Sequence, residues 1–474
     1  MAKYDCVIIG AGMSGLAAGI RLSMYNKKVV ILERHTITGG LNSYYSRGKR
    51  KFDVGLHALT NFVDPTERGR PFNKLMKQLR IPYDDFKLHP QNYSVIQFPD
   101  KKIKFTNDID FLTEEIRLNF PHEIDGFMSL LNQMQQVNEV DLSNELIMAR
   151  EVVRNYLKDE SLIEVLFCPL LIYGSAWEND MDFSQFVIMF KSIFIEGFSR
   201  PAGGVRTIID LLLKRFEECG GELRFKSEVT KIIAIDQKIK AVEINGEQII
   251  ECDNILSSMG LPETLSVLEE NNHSKTKPLP RVGNLSFTES IVITDKLPRD
   301  LGIDATIIFY NNRPNYLYQK PSTLIDSQSA VVCFPNNFLY GNTPSDYTEG
   351  VMRVTNIANY DLWNDQLLFS KENYKDQKIN VFNQSLQILK NVGLGSNGKS
   401  FEVLFKDVFT PTTIKRYTGH FGGTVYGSID KSRNGQTDIN GLYICGTDQG
   451  FLGIVGSMLS GISMANLHIL SSSL

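Results

Sequence analysis

The chain has 474 residues, 42% of them hydrophobic, 22% charged and 10% aromatic, which excludes a disordered protein and predicts two or three compact units. A net charge of −4 supplies no global positive field for a nucleic-acid backbone, so no nucleic-acid partner is expected. The six cysteines, Cys6, Cys168, Cys219, Cys252, Cys333 and Cys445, show neither CxxC pairing nor histidines at ligand spacing, so reduced thiols and no metal site are expected.

The run Tyr4 to Ile9 is apolar and β-branched, Ser14 to Asn26 follow helical spacing, and Val29 to Leu32 are apolar again; this order predicts a βαβ unit and a parallel sheet. No basic and apolar leader precedes the first strand, and uninterrupted apolar runs stay short of the ~18 residues that a spanning helix needs. A cytoplasmic protein is expected, with peripheral membrane contact left open.

Between the first strand and helix lies GAGMSG, with Gly10, Gly12 and Gly15. Gly10 permits the tight turn, Gly12 lets a pyrophosphate approach the backbone, and Gly15 allows helix and strand to pack closely. The helix N-terminus then presents unpaired N–H groups to the anion. Glu33 ends the next strand, where its carboxylate can accept hydrogen bonds from ribose hydroxyls. A dinucleotide site follows from strand, turn, helix, strand and acid in register. The pair Gly39 and Gly40 comes directly after and lets backbone pass close to a phosphate, which favours FAD over NAD as the primary occupant.

Residues 72–198 read as mainly helical, with very apolar stretches at Leu162 to Tyr173 and Phe186 to Phe198. Most of that apolar surface is expected in the core or around a hydrophobic substrate, and Ser184 to Phe198, charged only at Lys191 and Glu196, could rest on a bilayer. A second block, Gly203 to Ile235, has a glycine pair, a helix over Val205 to Cys219, a cap at Gly220 and Gly221, and strands. Residues 281–425 alternate strands (Ser290 to Thr294, Thr306 to Tyr310, Ala330 to Phe334, Glu402 to Thr410) with a helix near Lys375 to Asn391, and Asn271 to Pro280 reads as a polar turn.

Near the C-terminus, a strand ending at Gly446 leads to Asp448, then Gly450, Gly453 and Gly456, and a helical run from Ile454 to Ile469. Asp448 is placed to meet a ribityl hydroxyl. The helix N-terminus is placed to stabilise negative charge on the pyrimidine edge of a reduced flavin.

GAGMSG, ERHTITGG, KFDVGLH (Lys51 to His57), TPTTIKRYTGHFGGTVYG (Thr410 to Gly427) and the C-terminal glycine motif together resemble the carotenoid desaturase, carotenoid isomerase and retinol saturase group of flavoproteins. Leu41 and Asn42 follow the glycine pair where many phytoene desaturases and amine oxidases have Arg, a departure from the phytoene desaturase pattern that leaves FAD untouched.

The resemblance implies an α/β fold of the two-dinucleotide-binding-domain type. A Rossmann-type FAD-binding domain would comprise 1–71, 199–280 and 426–474, and a discontinuous α+β substrate domain 72–198 and 281–425. With the motifs, it implies an FAD site built from Gly10, Gly12, Met13, Ser14, Gly15, Glu33, Arg34, Gly39, Gly40, Leu41, Asn42, Gly55, Leu56, His57, Val229, Gly446, Asp448, Gly453, Ile454 and Val455.

His57 is a candidate for positioning a polyene or exchanging a proton. By resemblance, Arg416 and Tyr417 approach the flavin from the second domain, where a cation could hold a substrate head group. The expected function is FAD-dependent desaturation, saturation or isomerisation of carbon–carbon bonds in a long hydrophobic substrate. Two alternatives stand beside it: a flavin amine oxidase, with Tyr426 in an aromatic cage, and a non-catalytic flavin- or lipid-binding protein. The pattern does not specify oligomeric state.

Overall fold

The strands Tyr4–Ile9 and Val29–Leu32 pair in parallel, Cys6 against Val29 through Ile9 against Leu32. Apart from Asp5 near the start of the first, both are apolar on both faces, as strands covered on two sides must be. The helix between them, Met13–Ser23, stops short of Asn26, whose φ of 59° turns the chain left-handed toward the second strand. The computed structural model describes residues 3–471 except 63, 65, 66, 68, 272–277 and 344–346, so most of the turn read at Asn271 to Pro280 lies outside the described residues.

A parallel row runs Glu222–Arg224, Val29–Leu32, Tyr4–Ile9, Gln248–Ser257 and Leu442–Ile444. Gln248–Ser257 belongs to two layers: its start pairs antiparallel with Lys238–Ile244, its end parallel with Tyr4–Ile9. The chain's two ends therefore meet in one sheet, through Gln248–Ser257. They meet again on its face, where Gly453–Met464 crosses Met13–Ser23 and a Cβ on Gly461 would collide with the Ser14 carbonyl. The stretch Gly453–Leu470 is long and apolar enough to cross a membrane, yet this packing accounts for its composition.

The second sheet has seven strands in the order Val403–Phe409, Ser286–Thr294, Gly350–Ala358, Ser329–Cys333, Ile307–Asn311, Ser94–Gln97, Lys102–Phe105. Its last two strands come from 72–198, so that segment is less purely helical than its pattern predicts. Each has four residues, too few to establish a period of two. The long helix begins at Lys371 rather than Lys375, capped by Ser370 Oγ accepting from Asn373 N at 2.9 Å, and a helix over Tyr360–Phe369, unforeseen in the pattern, precedes it.

Helices Glu160–Gly174 and Phe183–Phe190 are capped by Asp159 and Asp182. The apolar stretch read as able to lie on a bilayer is instead internal. Phe186, Phe190, Phe194 and Phe198 are fully buried, and their rings pack, mostly tilted or edge-on, in a cluster with Phe105, Phe167 and Phe309. All six cysteines are free thiols.

Candidate functional site

The two glycine turns lie side by side. Gly39 N–H donates to the Ala11 carbonyl at 2.9 Å, and Gly12 and Gly39 form a parallel bridge. A Cβ on Gly15 would collide with the Gly10 carbonyl, so helix and turn touch backbone to backbone. Gly12 is different: nothing stands within 4 Å of where its Cβ would be, which leaves open space before the N-terminus of Met13–Ser23. An anion placed there meets unpaired N–H groups and the positive end of the helix.

Beside this space Glu33 Oε2 accepts from Ala11 N and Oε1 from His35 N, each at 2.8 Å. Both oxygens keep a lone pair for a further donor, and the side chain lines a cavity of ≈ 1040 Å³. That volume reaches the top of the range of about 300–1,000 Å³ usual for ligand pockets. The cavity passes Gly40, Leu41, Asn42 and Gly55 to His57, with the N-terminal turn of Gly453–Met464 on its wall at Gly453, Ile454 and Val455.

The other expected residues divide by position. Gly10, Met13, Ser14, Gly15, Gly39 and Gly446 lie behind the wall as backbone and packing support, whereas Gly12 faces the open space before the helix; a Cβ on Gly446 would stand 2.8 Å from Ser14 Oγ. The Leu56 carbonyl accepts from Arg200 Nη1 at 2.9 Å, and Arg34 Nη2 donates to the Arg416 carbonyl at 2.6 Å.

Val229 packs in the apolar cluster with Ile232, Val242 and Ile250, off the cavity wall as the turn glycines are. Two expectations need correction. Asp448 is fully buried behind the wall: Oδ1 accepts from Ser428 N at 2.8 Å and stands 3.3 Å from Lys431 Nζ, while Oδ2 accepts from Leu261 N at 2.6 Å. It holds three loops together instead of offering a ribityl contact. Burial lowers the pKa of Lys431 against the pull of Asp448. Arg416 and Tyr417 do line the cavity, but over the Glu33–Gly40 loop: Tyr417 meets the His35 ring edge-on at 5.1 Å, and Arg416 covers Tyr417 at 5.5 Å. Their contacts place them with the dinucleotide turn, whereas His57 has other neighbours.

At the far end of the cavity, His57 Nε2 stands 3.1 Å from Glu289 Oε1 and 2.9 Å from Thr355 Oγ1. Arg353 Nη2 donates to Glu289 Oε2 at 2.8 Å, and its Nε stands 2.7 Å from Oε1. Behind them Arg200 pairs with Asp53 and donates to the Tyr347 hydroxyl at 2.7 Å. Burial opposes ionisation of Glu289, but Arg353 and His57 outweigh it and hold its pKa down to about 2. Burial lowers the pKa of His57, with Arg353 and Arg200 adding to it and Glu289 pulling the other way.

Glu289, Thr355 and Arg353 escaped the sequence reading. Their signal was a single charge within each apolar strand, Glu289 in SFTESIVIT and Arg353 in GVMRVTNIA, because charges enter strand cores only when paired. Tyr173 faces the cavity with an enclosed hydroxyl that has no partner among the described residues. Tyr426 also lines it, but its hydroxyl donates to the Ile172 carbonyl at 2.5 Å. The open cradle at Gly12 and the spare lone pairs of Glu33 fit a dinucleotide.

The model of the family described as flavin containing amine oxidoreductase matches residues 13–467. The chain is similar to prolycopene isomerase, chloroplastic, of Daucus carota (24% identical, covering 98% of this chain and 80% of that protein). It is similar also to all-trans-retinol 13,14-reductase of Danio rerio (21%, covering 99% and 88%). Among solved structures it is similar in fold to an oxidoreductase from Methanosarcina mazei, with a TM-score of 0.67 at 17% identity over 97% of this chain and 99% of that one.

Proposed function

The chain belongs to the flavin-containing amine oxidoreductase family, and on that premise we propose that it is an FAD-dependent oxidoreductase acting on carbon–carbon bonds of a long hydrophobic substrate, such as a carotenoid, retinoid or unsaturated acyl chain. FAD would be held by the cradle at Gly12 and the Gly39–Gly40 loop, with Glu33 on the ribose and the helix start at Gly453 on the flavin ring. When bound it supplies two-electron redox chemistry.

The observation that carries the substrate class is the state of the charges at His57. Glu289 is spent on Arg353, so the carboxylate beside His57 is not free to hold an ammonium group. The wall around it is apolar, with Ala58, Leu59, Ile172, Ile188, Met189 and Val331. These side chains bind by excluding water and suit an uncharged chain. The amine reading retains one supporting observation, the two tyrosines Tyr173 and Tyr426 on the wall. Holoprotein incubated with polyenes and, separately, with primary amines decides between them: changed polyene bond order or geometry is expected, and peroxide release from amines without any polyene product would overturn the proposal.

Peripheral membrane contact belongs to the same proposal, through another surface than Ser184 to Phe198. At the elbow between Tyr360–Phe369 and Lys371–Asn391, Leu368 and Phe369 are 76% and 82% exposed, and neighbouring Leu367 lines the cavity. Lys371 and Lys375 follow within the next turns, offset by Glu372 and Asp376, so the contact would rest on the apolar pair. Phe369→Ser should weaken sedimentation with phosphatidylserine vesicles; unchanged sedimentation would remove this contact from the proposal.

A further inference from the structure

The two ring nitrogens of His57 have different surroundings. Nε2 faces Glu289 Oε1 and Thr355 Oγ1. Nδ1 has no hydrogen bond among the described residues and is not enclosed by protein, and the side chain lines the cavity. Glu289, hydrogen-bonded by Arg353 Nη2 and ion-paired with the same guanidinium, is an anion and can only accept. The Thr355 hydroxyl, 3.4 Å from Glu289 Oε1, donates there and turns a lone pair toward Nε2. The proton of a neutral His57 therefore belongs on Nε2, and the bare lone pair on Nδ1 opens to the cavity.

Resting on the reading of the cavity as a hydrophobic-substrate site, we infer that His57 Nδ1 exchanges the proton in the reaction and that Glu289 is the positioning residue that fixes this tautomer. In the oxidising direction a substrate C–H bond breaks and its proton passes to Nδ1. Its electron pair becomes the new C=C bond, and FAD, when bound, would supply the two-electron acceptance for the hydride that leaves the adjacent carbon. Saturation is the same step reversed. Glu289 then faces an imidazolium and offsets its charge, as a carboxylate behind a catalytic histidine does. The remaining groups around His57 leave this assignment intact. Arg200 Nη1 donates to the His57 carbonyl at 3.0 Å, Cys333 Sγ meets the same carbonyl at 3.6 Å, and the Tyr173 ring lies 6.3 Å away. Asp53 is occupied by Arg200. Burial keeps the imidazole neutral near pH 7 and thus able to accept a proton.

The test is nitrogen NMR of ¹⁵N-histidine-labelled holoprotein near pH 7.5, with the His57 signal assigned by its loss in His57→Gln. A protonated Nε2 and a bare Nδ1 are expected; a protonated Nδ1, or an imidazolium, overturns the proposal without any activity measurement. In turnover, His57→Gln should lose about 100-fold in kcat, the usual size of general acid–base catalysis. Glu289→Gln should lose about 10-fold and move the acid limb of the pH–rate profile to lower pH, because the anion that favours the imidazolium is gone. A folded Glu289→Gln protein with an unmoved limb overturns the positioning role, a result that a loss of stability cannot imitate. Polyene turnover unaffected by His57→Gln overturns the proton assignment and leaves the substrate class standing. Absence of polyene turnover in the wild type defeats the substrate class, while the nitrogen spectrum still decides the tautomer.

Discussion

Arg353 and Glu289 form an ion pair across neighbouring strands, Nη2 to Oε2 at 2.8 Å, with side chains only 4% and 11% exposed. Glu289 has its pKa held at about 2 in the folded protein against a reference of 4.5. A carboxylate lowered on folding stabilises the native state above its unfolded pKa, and that stability is lost as pH falls through the folded value. Urea denaturation of the wild type should therefore show stability falling between about pH 5 and pH 2. Glu289→Gln should flatten that window, and Glu289→Ala should cost about 3–5 kcal/mol at neutral pH by leaving Arg353 buried and unpaired.

Gly12 and Gly15 should separate cofactor binding from folding. Gly12→Val meets open space, so the apoprotein should keep its Tm while FAD affinity, read by flavin fluorescence, falls by at least about tenfold as the pyrophosphate is displaced. Gly15→Val drives a side chain into the Gly10 carbonyl and should fail to yield folded protein.

Asp448 should behave as a strut. Asp448→Ala strands Lys431 and the N–H groups of Leu261 and Ser428, and should cost about 3–5 kcal/mol of apoprotein stability in urea denaturation. A variant with full stability and only weakened flavin binding would restore Asp448 to the cofactor.

Gly461→Val tests the clasp between the chain ends. With a Cβ pressed on the Ser14 carbonyl, the C-terminal helix must ride away from Met13–Ser23, at a cost of about 1–3 kcal/mol read as a lowered apoprotein Tm. FAD retention should fall with it, because the N-terminus of that helix is a cavity wall.

What was legible in the sequence followed short-range rules. GAGMSG, Glu33 and the Gly39–Gly40 pair are separated by turns whose backbone geometry restricts the residue types, so their spacing already describes the cradle. Asp448 was misplaced because an acid after a glycine looks the same whether it meets a ligand or two backbone N–H groups and a lysine from distant loops. The contact of His57 with Glu289 and Thr355 joins positions more than two hundred residues apart, and no local pattern encodes which strands become neighbours. The phenylalanines of Phe186 to Phe198 were ambiguous because a helix buried all round and one lying on a lipid surface both select apolar side chains.

The central claim, an FAD site closed by both ends of the chain, is most directly tested by titrating apoprotein with FAD and following the visible flavin spectrum. The account predicts saturable binding with perturbed flavin bands, sharply weakened in Gly12→Val. A protein whose addition leaves the spectrum of free FAD unchanged would contradict it.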